Sequence, residues 1–559
     1  MRPALPPPDP ALVACVVVPA RDEEALVGAC IRALAVQAGV PRAAYEILLV
    51  LDRCLDATAE RARAAADAEP GLRLHLLEAG APGVGHARRH GMTVACERLL
   101  ALGRPDGLIA STDADSEPAP DWLAAQLAAV AAGARAIGGL IELGAEGRGA
   151  LPAATLDARE AQARVRMSRA RAAARPGERT EHWQFSGASF AVTAATYEVV
   201  GRIEPRQALE DEAFERLLRS HGVPIQRLLS VRVTTSGRLA GRARRGLAVD
   251  LRRDAWLAER TFRAEDFSVE DLVAGKDRSV SVVLPTRDVA GTLGGVLDAI
   301  APLERAGLVD EVLVVDAAST DGTAQLARAR GARVVDESEL MPACGPALGK
   351  GDAMWRGLSA TTGELVAYVD TDTEDFTSGF VVGLLGPLIR HPELAFVKGA
   401  FRRPLRVGAT VMPDEGGRVT ELVARPYLNL HFPELAAFRQ PLAGEIAAPR
   451  ALLERLPFPV GYGVEVAMLI DVLRAVGLER MAQADLGTRQ NRHQPLRDLS
   501  AMALAVLAAA ERRVHGEEAL AAAAPGPLLV PGPAGFEGRA VVVDERPPLA
   551  AAVALADRE

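Results

Sequence analysis

The feature that most constrains this sequence is a repeat with a long period, in which one order of strands and acidic residues occurs twice. An apolar run that ends near Pro19 is matched by one that ends near Pro285. Each is followed by a second apolar run that ends in an aspartate, at Asp52 and at Asp316. Continuously apolar strands that alternate with helical segments are typical of parallel sheets covered on both faces. The repeat therefore predicts an α/β protein with two tandem Rossmann-like domains, each with a mixed, mostly parallel sheet.

Each copy of the repeat continues into a third apolar run that ends in two aspartates one residue apart. These pairs are Asp113/Asp115 and Asp370/Asp372. Ligands of open parallel sheets lie beyond the carboxyl ends of the strands, where these acids fall. Mg²⁺ takes one or two carboxylates and completes its shell with phosphate oxygens. One such pair could be a solvated turn, but its recurrence at matching places favours a metal site that binds a diphosphate.

The overall charge and composition exclude several functions. The net charge is −9, whereas nucleic-acid-binding proteins normally present a basic surface, so we expect no nucleic-acid partner. Five cysteines without a C-x-x-C pair predict neither a disulfide framework nor a zinc site, which fits a cytoplasmic protein. No apolar run is long enough to span a bilayer, so we expect no stable membrane insertion.

Lysine is rare in this sequence, so each lysine stands out. Three of the 64 basic residues are lysines and the others are arginines. A lysine is therefore expected where a compact ammonium is needed in place of a planar guanidinium. Lys350 lies between two glycines, where it can closely approach a phosphate or a base.

Composition also predicts the domain boundaries. We expect one domain over residues 1–270 and a second over residues 277–516, separated by a charged stretch. Alanine, proline and glycine dominate from about residue 517, which predicts a flexible tail over residues 517–559.

The order of strand–Pro, strand–Asp and strand–D-x-D resembles that of family-2-like glycosyltransferases with the GT-A fold, and this resemblance covers both halves. The second half is also similar, in a narrower way, to the glucosyl-3-phosphoglycerate synthases. The segments that carry this similarity are Gly349–Arg356, Phe396–Lys398, Phe401–Pro404, Gly417–Pro426, Gln440–Glu445 and Phe458–Glu465. The resemblance implies that glucose is transferred with retention from UDP-glucose or another NDP-glucose to 3-phosphoglycerate, with Mg²⁺ or Mn²⁺.

The resemblance also implies roles for individual residues of the second half on the donor side. It places the donor beside Pro285, Asp316, Lys350 and Gly351. Asp370 and Asp372 would act in catalysis, with Asp372 binding the metal. Val289 and Ala317 stand where the family has an acidic residue and a serine near the nucleobase, so UDP, GDP and ADP all stay open.

On the acceptor side, the resemblance assigns Arg418 and Thr420 to the acceptor, whose phosphate and carboxylate suit a guanidinium and a hydroxyl. Glu465 would lie by the transferred sugar or the acceptor, or would only stabilise a helix N-terminus. The family has histidine two residues before asparagine in a late loop, whereas this chain has Asn491 before His493. Either His493 reaches the metal from a shifted loop, or Asn491 is an oxygen ligand in addition to its predicted contact with the acceptor.

The first half keeps the general pattern. Pro19 and Asp52 would border a donor, Asp113 and Asp115 would act in catalysis with Asp115 on the metal, and Asp211 would be a general base. These features predict a second transferase whose acceptor is unknown. The alternatives are a different small or glycan acceptor, or one module that acts only as a binding or structural partner. The sequence leaves the oligomeric state open, a homo-oligomer included.

Overall fold

A computed structural model shows how the two halves fold. It describes residues 5–206, 208–239, 246–407, 410–412, 416–489, 495–518, 521, 526–532 and 535–556. The chain divides into two compact units, Met1–Ala255 and Trp256–Glu559, called the first and second units below. Among the described residues, each unit contains one eight-stranded sheet with more parallel than antiparallel pairs, which confirms the predicted fold class. None of the described helices is both long enough and apolar enough to cross a membrane.

The first unit alternates strands and helices. Its strands are β1 (Ala14–Ala20), β2 (Tyr45–Leu51), β3 (Leu74–Glu78), β4 (Leu108–Ser111), β5 (Ser116–Pro118), β6 (Ala136–Leu143), β7 (Phe190–Thr193) and β8 (Ile225–Thr235). Its helices are α1 (Val27–Ala35), α2 (Thr58–Asp67), α3 (Val84–Ala101), α4 (Trp122–Ala131), α5 (Ala145–Gly149), α6 (Ala153–Ala172), α7 (Ala194–Val199) and α8 (Glu210–Ser220), and α9 (Leu247–Glu259) contains the unit boundary. The strand order is β3-β2-β1-β4-β7-β6-β8-β5.

The second unit repeats this arrangement. The strands of its large sheet are β9 (Thr261–Arg263), β10 (Val280–Thr286), β11 (Glu311–Asp316), β12 (Arg333–Asp336), β13 (Leu365–Tyr368), β14 (Phe396–Arg402), β17 (Ile446–Pro449) and β19 (Met481–Thr488), in the order β12-β11-β10-β13-β17-β14-β19-β9. Smaller pairs involve β15 (Leu405–Val407), β16 (Thr410–Met412), β18 (Phe458–Pro459), β20 (Leu528–Gly532), β21 (Gly535–Arg539) and β22 (Glu545–Arg546). The helices are α10 (Val269–Gly275), α11 (Ala290–Arg305), α12 (Thr323–Ala329), α13 (Lys350–Ala360), α14 (Ser378–Arg390), α15 (Arg425–His431), α16 (Arg450–Leu453), α17 (Val464–Val476), α18 (Leu499–His515) and α19 (Leu549–Ala556).

Burial explains why the central strands are apolar throughout. Alternate residues of a strand face opposite sides of a sheet. Val283 and Leu313 accordingly belong to one buried cluster of the second unit, whereas Val282 and Val314 belong to another. Helices cover both faces, so a polar side chain is disfavoured inside these strands. The parallel register pairs Thr286 with Asp316 and so places the ends of β10 and β11 at one edge.

The repeat is visible in the turns that follow the first strand of each unit. Asp22 and Asp288 both have left-handed backbone, with φ of 48° and 51°. Asp22 Oδ1 accepts the backbone N–H of Leu55 at 2.6 Å, and Asp288 Oδ1 accepts that of Thr320 at 2.8 Å. In both units an aspartate therefore ties the loop after the first strand to the loop after the second.

The predicted boundary after residue 270 is wrong, because residues 256–275 pack with the second unit. The indole N–H of Trp256 donates to the carbonyl oxygens of Leu478 and Met481, at 3.0 and 2.8 Å. The short strand β9 extends the second sheet by pairing in parallel with β19. The charged stretch thus covers one edge of a sheet instead of linking two domains.

The predicted flexible tail over residues 517–559 is also wrong for its described part. Strand β22 pairs with β18, and Leu549 and Ala552 are 2% and 6% exposed within the core. The guanidinium of Arg546 donates to both carboxylate oxygens of Asp352, at 2.9 and 2.7 Å. Composition failed here because a few anchoring side chains fix a segment that is otherwise rich in alanine, proline and glycine.

We expect Leu549→Ala to lower the free energy of unfolding of the second unit by about 2–5 kcal/mol, because it leaves a cavity in the core. Chemical denaturation of the full chain measures this change as an earlier transition. Leu529→Ala is the matched control, since Leu529 lies in the same segment but is 63% exposed. Its effect should stay within about 0.5 kcal/mol. Equal effects of the two variants would contradict the packing of α19.

Candidate active site

The carboxyl ends of the central strands of the second unit open onto a cavity of about 1080 Å³. Seven residues singled out from the sequence line it: Pro285, Lys350, Asp370, Asp372, Arg418, Thr420 and Glu465. They come from strand ends, helix starts and the loop before α15, which lie far apart in the chain. The fold therefore brings these seven of the predicted residues, from the donor and the acceptor side, to one cavity, as expected at the edge of a parallel sheet.

Lys350 forms two ion pairs at the floor of this cavity. Its Nζ lies 2.7 Å from Asp370 Oδ1 and 2.8 Å from Glu465 Oε1. Gly349 precedes α13 with a φ of 138°, so the lysine begins the helix directly after a turn that favours glycine. Burial opposes the charge of Lys350, but the two carboxylates outweigh it and raise the pKa of Lys350 above its ordinary value.

Arg489 links three acidic side chains on the other side of the same floor. Its Nη1 lies 2.5 Å from Glu445 Oε1, and its Nη2 lies 2.7 Å from Asp372 Oδ1 and 3.1 Å from Asp370 Oδ2. The side chain is 3% exposed and its guanidinium lies 5.2 Å from the centre of the Phe401 ring. One guanidinium therefore neutralises much of the negative charge that the D-x-D pair and Glu445 bring together.

The protein environment shifts the pKa values of the two buried acids beside Arg489 in opposite directions. Burial favours the neutral form of Asp370, but Lys350 and Arg489 outweigh it and hold the pKa of Asp370 below its ordinary value. Burial raises the pKa of Glu445, although Arg489 acts against it. Glu445 Oε2 has no hydrogen-bond partner among the described residues. Asp370 is thus held ionised, and the pKa values of the two acids shift in opposite directions.

Two further residues allow the cluster to pack. A Cβ atom on Gly444 would lie 2.3 Å from Asp370 Oδ1 and 2.5 Å from Lys350 Nζ, so only glycine fits against this ion pair. The Nζ of Lys398 donates to the carbonyl oxygen of Ala443, the residue before Gly444, at 2.7 Å. Burial lowers the pKa of Lys398 to about 8. The segments that contain Gly444 and Lys398 thus support the site from below.

Two predicted donor residues do not line the cavity. Asp316 is 6% exposed and its Oδ2 accepts the backbone N–H of Ser319 at 3.1 Å, so it holds the loop that does line the cavity. A Cβ atom on Gly351 would lie 1.8 Å from the carbonyl oxygen of Pro459, which gives Gly351 a packing role. Asn491 and His493 lie outside the described residues, so their roles stay predictions.

Arg489 and Arg403 were missed from the sequence. Both line the cavity, and within the described residues no carboxylate lies at ion-pair distance from Arg403. Burial, with Arg489 close by, lowers the pKa of Arg403. The signals were present, since Arg403 lies in the segment Phe401–Pro404 and Arg489 lies two residues before Asn491. Among so many arginines, these signals did not stand out.

The first unit has a similar cluster at its own D-x-D pair. Arg88 is 1% exposed, and its guanidinium lies 2.7 Å from Asp113 Oδ1 and 3.0 Å from Glu210 Oε1. Arg238 lies 3.1 Å from Asp115 Oδ2. Burial and the neighbouring Asp113 raise the pKa of Asp115 to about 6. A buried arginine therefore binds the first acid of the pair in both units.

The remaining predicted residues of the first unit are held by local hydrogen bonds. Asp211 Oδ2 accepts the hydroxyl of Ser186 and the backbone N–H of Gly187, both at 2.8 Å. Asp52 is 3% exposed and accepts a backbone N–H from the loop before α3 at 2.9 Å. Pro19 lies in β1 and is paired with Val50 of the neighbouring strand β2. Their predicted roles stay predictions.

Only one set of three side chains with potential metal-binding atoms lies close together in the described part of the chain. It consists of Asp22, Cys54 and Asp56, whose ligand atoms lie within 4.8 Å of one another. Asp22 accepts the N–H of Leu55, and Asp56 accepts that of Thr58. These bonds are the turn interactions that recur in the second unit, so the set has a structural explanation.

Comparison with known proteins gives matches in both halves of the chain. The model of "Glycosyltransferase like family 2" matches residues 10–255, and that of "Glycosyl transferase family 2" matches residues 281–407. A glucosyl-3-phosphoglycerate synthase from Mycolicibacterium paratuberculosis is 45% identical over 281 residues, which cover 49% of this chain and 85% of that protein.

Two solved structures are also similar. A mannosyl-3-phosphoglycerate synthase from Rubrobacter xylanophilus is 48% identical, with a TM-score of 0.49, and the match covers 53% of this chain and 98% of that one. A glucosyl-3-phosphoglycerate synthase from Mycobacterium tuberculosis, in complex with Mn²⁺ and UDP-glucose, is 40% identical, with a TM-score of 0.46. That match covers 51% of this chain and 95% of that one.

The two sheets and the two family matches define a hexosyltransferase of glycosyltransferase family 2 with tandem GT-A domains. Over about half of its length, the chain belongs to the family of glucosyl-3-phosphoglycerate synthases. The resemblance inferred from the motifs is thereby confirmed at the level of the family.

We expect Arg489→Ala to lower the free energy of unfolding by about 3–5 kcal/mol, because it leaves Glu445 and Asp370 buried without their shared guanidinium. Urea denaturation at neutral pH measures this loss. Arg439→Ala is the matched control, since Arg439 pairs with Asp485 of β19, the strand that directly precedes Arg489, but its side chain is 55% exposed. Exposed pairs contribute about 0–1 kcal/mol. A loss this small for Arg489→Ala would show that it does not hold the cluster together.

Proposed function

We propose that the second unit transfers glucose from a nucleotide sugar to 3-phosphoglycerate with retention, and that the first unit is a second glycosyltransferase with another acceptor. The observation that carries the proposal is a single cavity whose floor holds Lys350, Asp370 and Arg489 and whose lining includes three further arginines, Arg287, Arg403 and Arg418. A relative that is 45% identical over 281 residues is named a glucosyl-3-phosphoglycerate synthase, which supports the choice of donor sugar and acceptor.

The donor side suits a sugar diphosphate. Pro285 and Lys350 line the cavity at the ends of the strands, and the ammonium of Lys350 offers positive charge between the acids that flank it. Arg287 lines the same side. Two cations close to the ends of parallel strands are what a bound diphosphate requires, because its charge must be neutralised inside an acidic protein.

A divalent cation fits the acidic side chain at the rim. The side chain of Asp372 is 59% exposed and offers hard carboxylate oxygens beside its ion pair with Arg489, whereas Asp370 pairs with both Lys350 and Arg489. Mg²⁺ or Mn²⁺ could therefore bind Asp372 and complete its shell with phosphate oxygens. When bound, the cation would stabilise charge on the departing diphosphate. Asn491 and His493 are the candidates for further contacts.

The acceptor side suits a small anion with two charged groups. Arg418 is partly buried and Thr420 is 2% exposed, at the start of a π-helical segment, Thr420–Ala424. Arg403 adds a guanidinium without an ion pair among the described residues. Guanidinium groups bind phosphate and carboxylate through charge-assisted hydrogen bonds, so these side chains could hold both ends of 3-phosphoglycerate.

Glu465 fits both roles that the sequence left open. It is the second residue of α17, where a carboxylate interacts favourably with the helix N-terminus, and it also pairs with Lys350. In the proposed reaction its carboxylate would lie beside the sugar carbon that gains positive charge as the bond to the diphosphate breaks. A negative charge there would stabilise the transition state.

Matched variants of the two units test which half carries this activity. With NDP-glucose, 3-phosphoglycerate and Mn²⁺, we expect the full chain to form glucosyl-3-phosphoglycerate, detected by mass. Asp372→Asn should abolish it, because the metal loses its carboxylate, whereas Asp115→Asn, the equivalent change in the first unit, should not. Excess chelator should stop the reaction and added Mn²⁺ should restore it.

The reverse pattern would move this activity to the first unit. Turnover in excess chelator would contradict the metal, and an inverted anomeric configuration in the NMR spectrum of the product would contradict retention. If the product forms and no acceptor is found for the first unit, that unit is better explained as a binding or structural partner. If glucose is transferred only to other acceptors, the reversed order of Asn491 and His493 offers an explanation.

We expect Arg418→Ala to lower kcat/KM for 3-phosphoglycerate by roughly 10- to 150-fold. A charge-assisted hydrogen bond contributes about 1.5–3 kcal/mol, at about 1.4 kcal/mol per factor of ten. The KM of the sugar nucleotide should change little. Arg425→Ala is the control, because Arg425 does not line the cavity and pairs with Glu421 at 2.8 Å. An unchanged acceptor KM in Arg418→Ala would remove Arg418 from the acceptor site.

A further inference from the structure

Glu337 is a buried carboxyl group of the cavity that the proposed transfer does not use. It follows β12 directly, lines the cavity and is 3% exposed. Within the described residues, its buried Oε1 has no hydrogen-bond partner. A buried acceptor without a donor is unfavourable. The position therefore suggests that a bound ligand supplies the missing donor.

The place of Glu337 in the sheet indicates which part of the donor it would meet. β12 lies beside β11, which lies beside β10, and neighbouring strands are about 4.8 Å apart. Glu337 directly follows β12, and Arg287 directly follows β10, two strands away in the sheet. Between them, Ala317 and Ala318 line the cavity with small side chains that leave room for a flat ring. A nucleotide with its phosphates near Arg287 would present its base to Glu337.

The neighbouring acid of the cavity does not compete for this role. Asp336 also lines the cavity, but its Oδ1 accepts the backbone N–H of Ser338 at 2.8 Å and the hydroxyl of the same residue at 2.6 Å. Asp336 thus closes the turn that presents Glu337. Of these two neighbouring acids, Glu337 is the one with a buried oxygen that has no hydrogen-bond partner among the described residues.

We propose that Glu337 reads the base of the donor and makes the site selective for a guanine nucleotide over a uracil nucleotide. An ionised carboxylate only accepts hydrogen bonds. Guanine offers the adjacent donors N1–H and N2–H on one edge, which match the two carboxylate oxygens. Uracil offers one N–H, and the carbonyl oxygens on both sides of it are acceptors that repel a carboxylate. The proposal rests on the proposed function, since it assumes a nucleotide-sugar donor.

The surroundings of Glu337 add a dependence on pH. Burial, then Asp352, raises the pKa of Glu337 to about 7, while Arg356 acts against this shift. Asp336 and Arg287 are the other charged groups that act on it. Guanine needs the ionised form, so the affinity for GDP should rise between about pH 6 and pH 8, as the proton is lost.

Calorimetric titration of the full chain with GDP and with UDP, in the presence of Mn²⁺, tests the proposal. We expect GDP to bind roughly 10- to 100-fold more tightly than UDP at pH 8. Glu337→Gln should bring the ratio of the two affinities close to one. Glu339→Gln, an exposed residue of the same turn that does not line the cavity, should leave the ratio unchanged.

A preference of the natural chain for UDP, or the same ratio in Glu337→Gln, would overturn the proposal. So would an affinity for GDP that does not rise with pH, a measurement that requires no variant. If product forms from 3-phosphoglycerate in these cases, the proposed function stands and only the role of Glu337 fails. If neither nucleotide binds and no product forms, both fail. Glu337→Gln should melt at a higher temperature than the natural chain at pH 8, because it removes a buried charge.

Discussion

Carboxylates can line the floor of a cavity only if cations neutralise them, and this requirement organises both units. A buried acid without a partner is strongly destabilising, whereas one guanidinium can serve several acids at once. Arg88 does so for Asp113 and Glu210, and Arg489 does so for Asp370 and Glu445. Helix α3, which bears Arg88, and the segment after β19, which bears Arg489, are thereby fixed against the strand ends. The charges that a bound diphosphate would meet in the proposed function thus also hold the walls of the cavity in place.

The frame of the site could be predicted from the sequence, because it depends on local patterns. Apolar runs give the central strands, and the parallel order of these strands brings Pro285 and Asp370 to one edge. The glycines on both sides of Lys350 indicate a turn that places this lysine close to a ligand. The resemblance to a family added Arg418 and Glu465, which no periodicity could have supplied. The structure places all of these at one cavity.

The rest depends on pairs that lie far apart in the chain. Arg489 meets Asp370 across 119 positions, and in a chain with so many arginines nothing local marks it as the partner. The sequence around Glu337 is typical of a surface turn, and its burial is evident only from the fold. The segment around Leu549 was misjudged for the same reason, since its composition describes a tail while its contacts are those of a core helix.

The contact between Arg546 and Asp352 bears on how the second unit is made. Asp352 lies in the first turn of the helix that begins with Lys350, and Arg356 and Arg546 both bind its carboxylate. The ribosome adds Arg546 194 positions after Asp352. During synthesis the start of this helix therefore stays incomplete while nearly the whole unit is already outside the ribosome. The start of this helix gains its last ion pair only when β22 reaches β18, so completion of this side of the cavity is among the late steps of folding of the second unit.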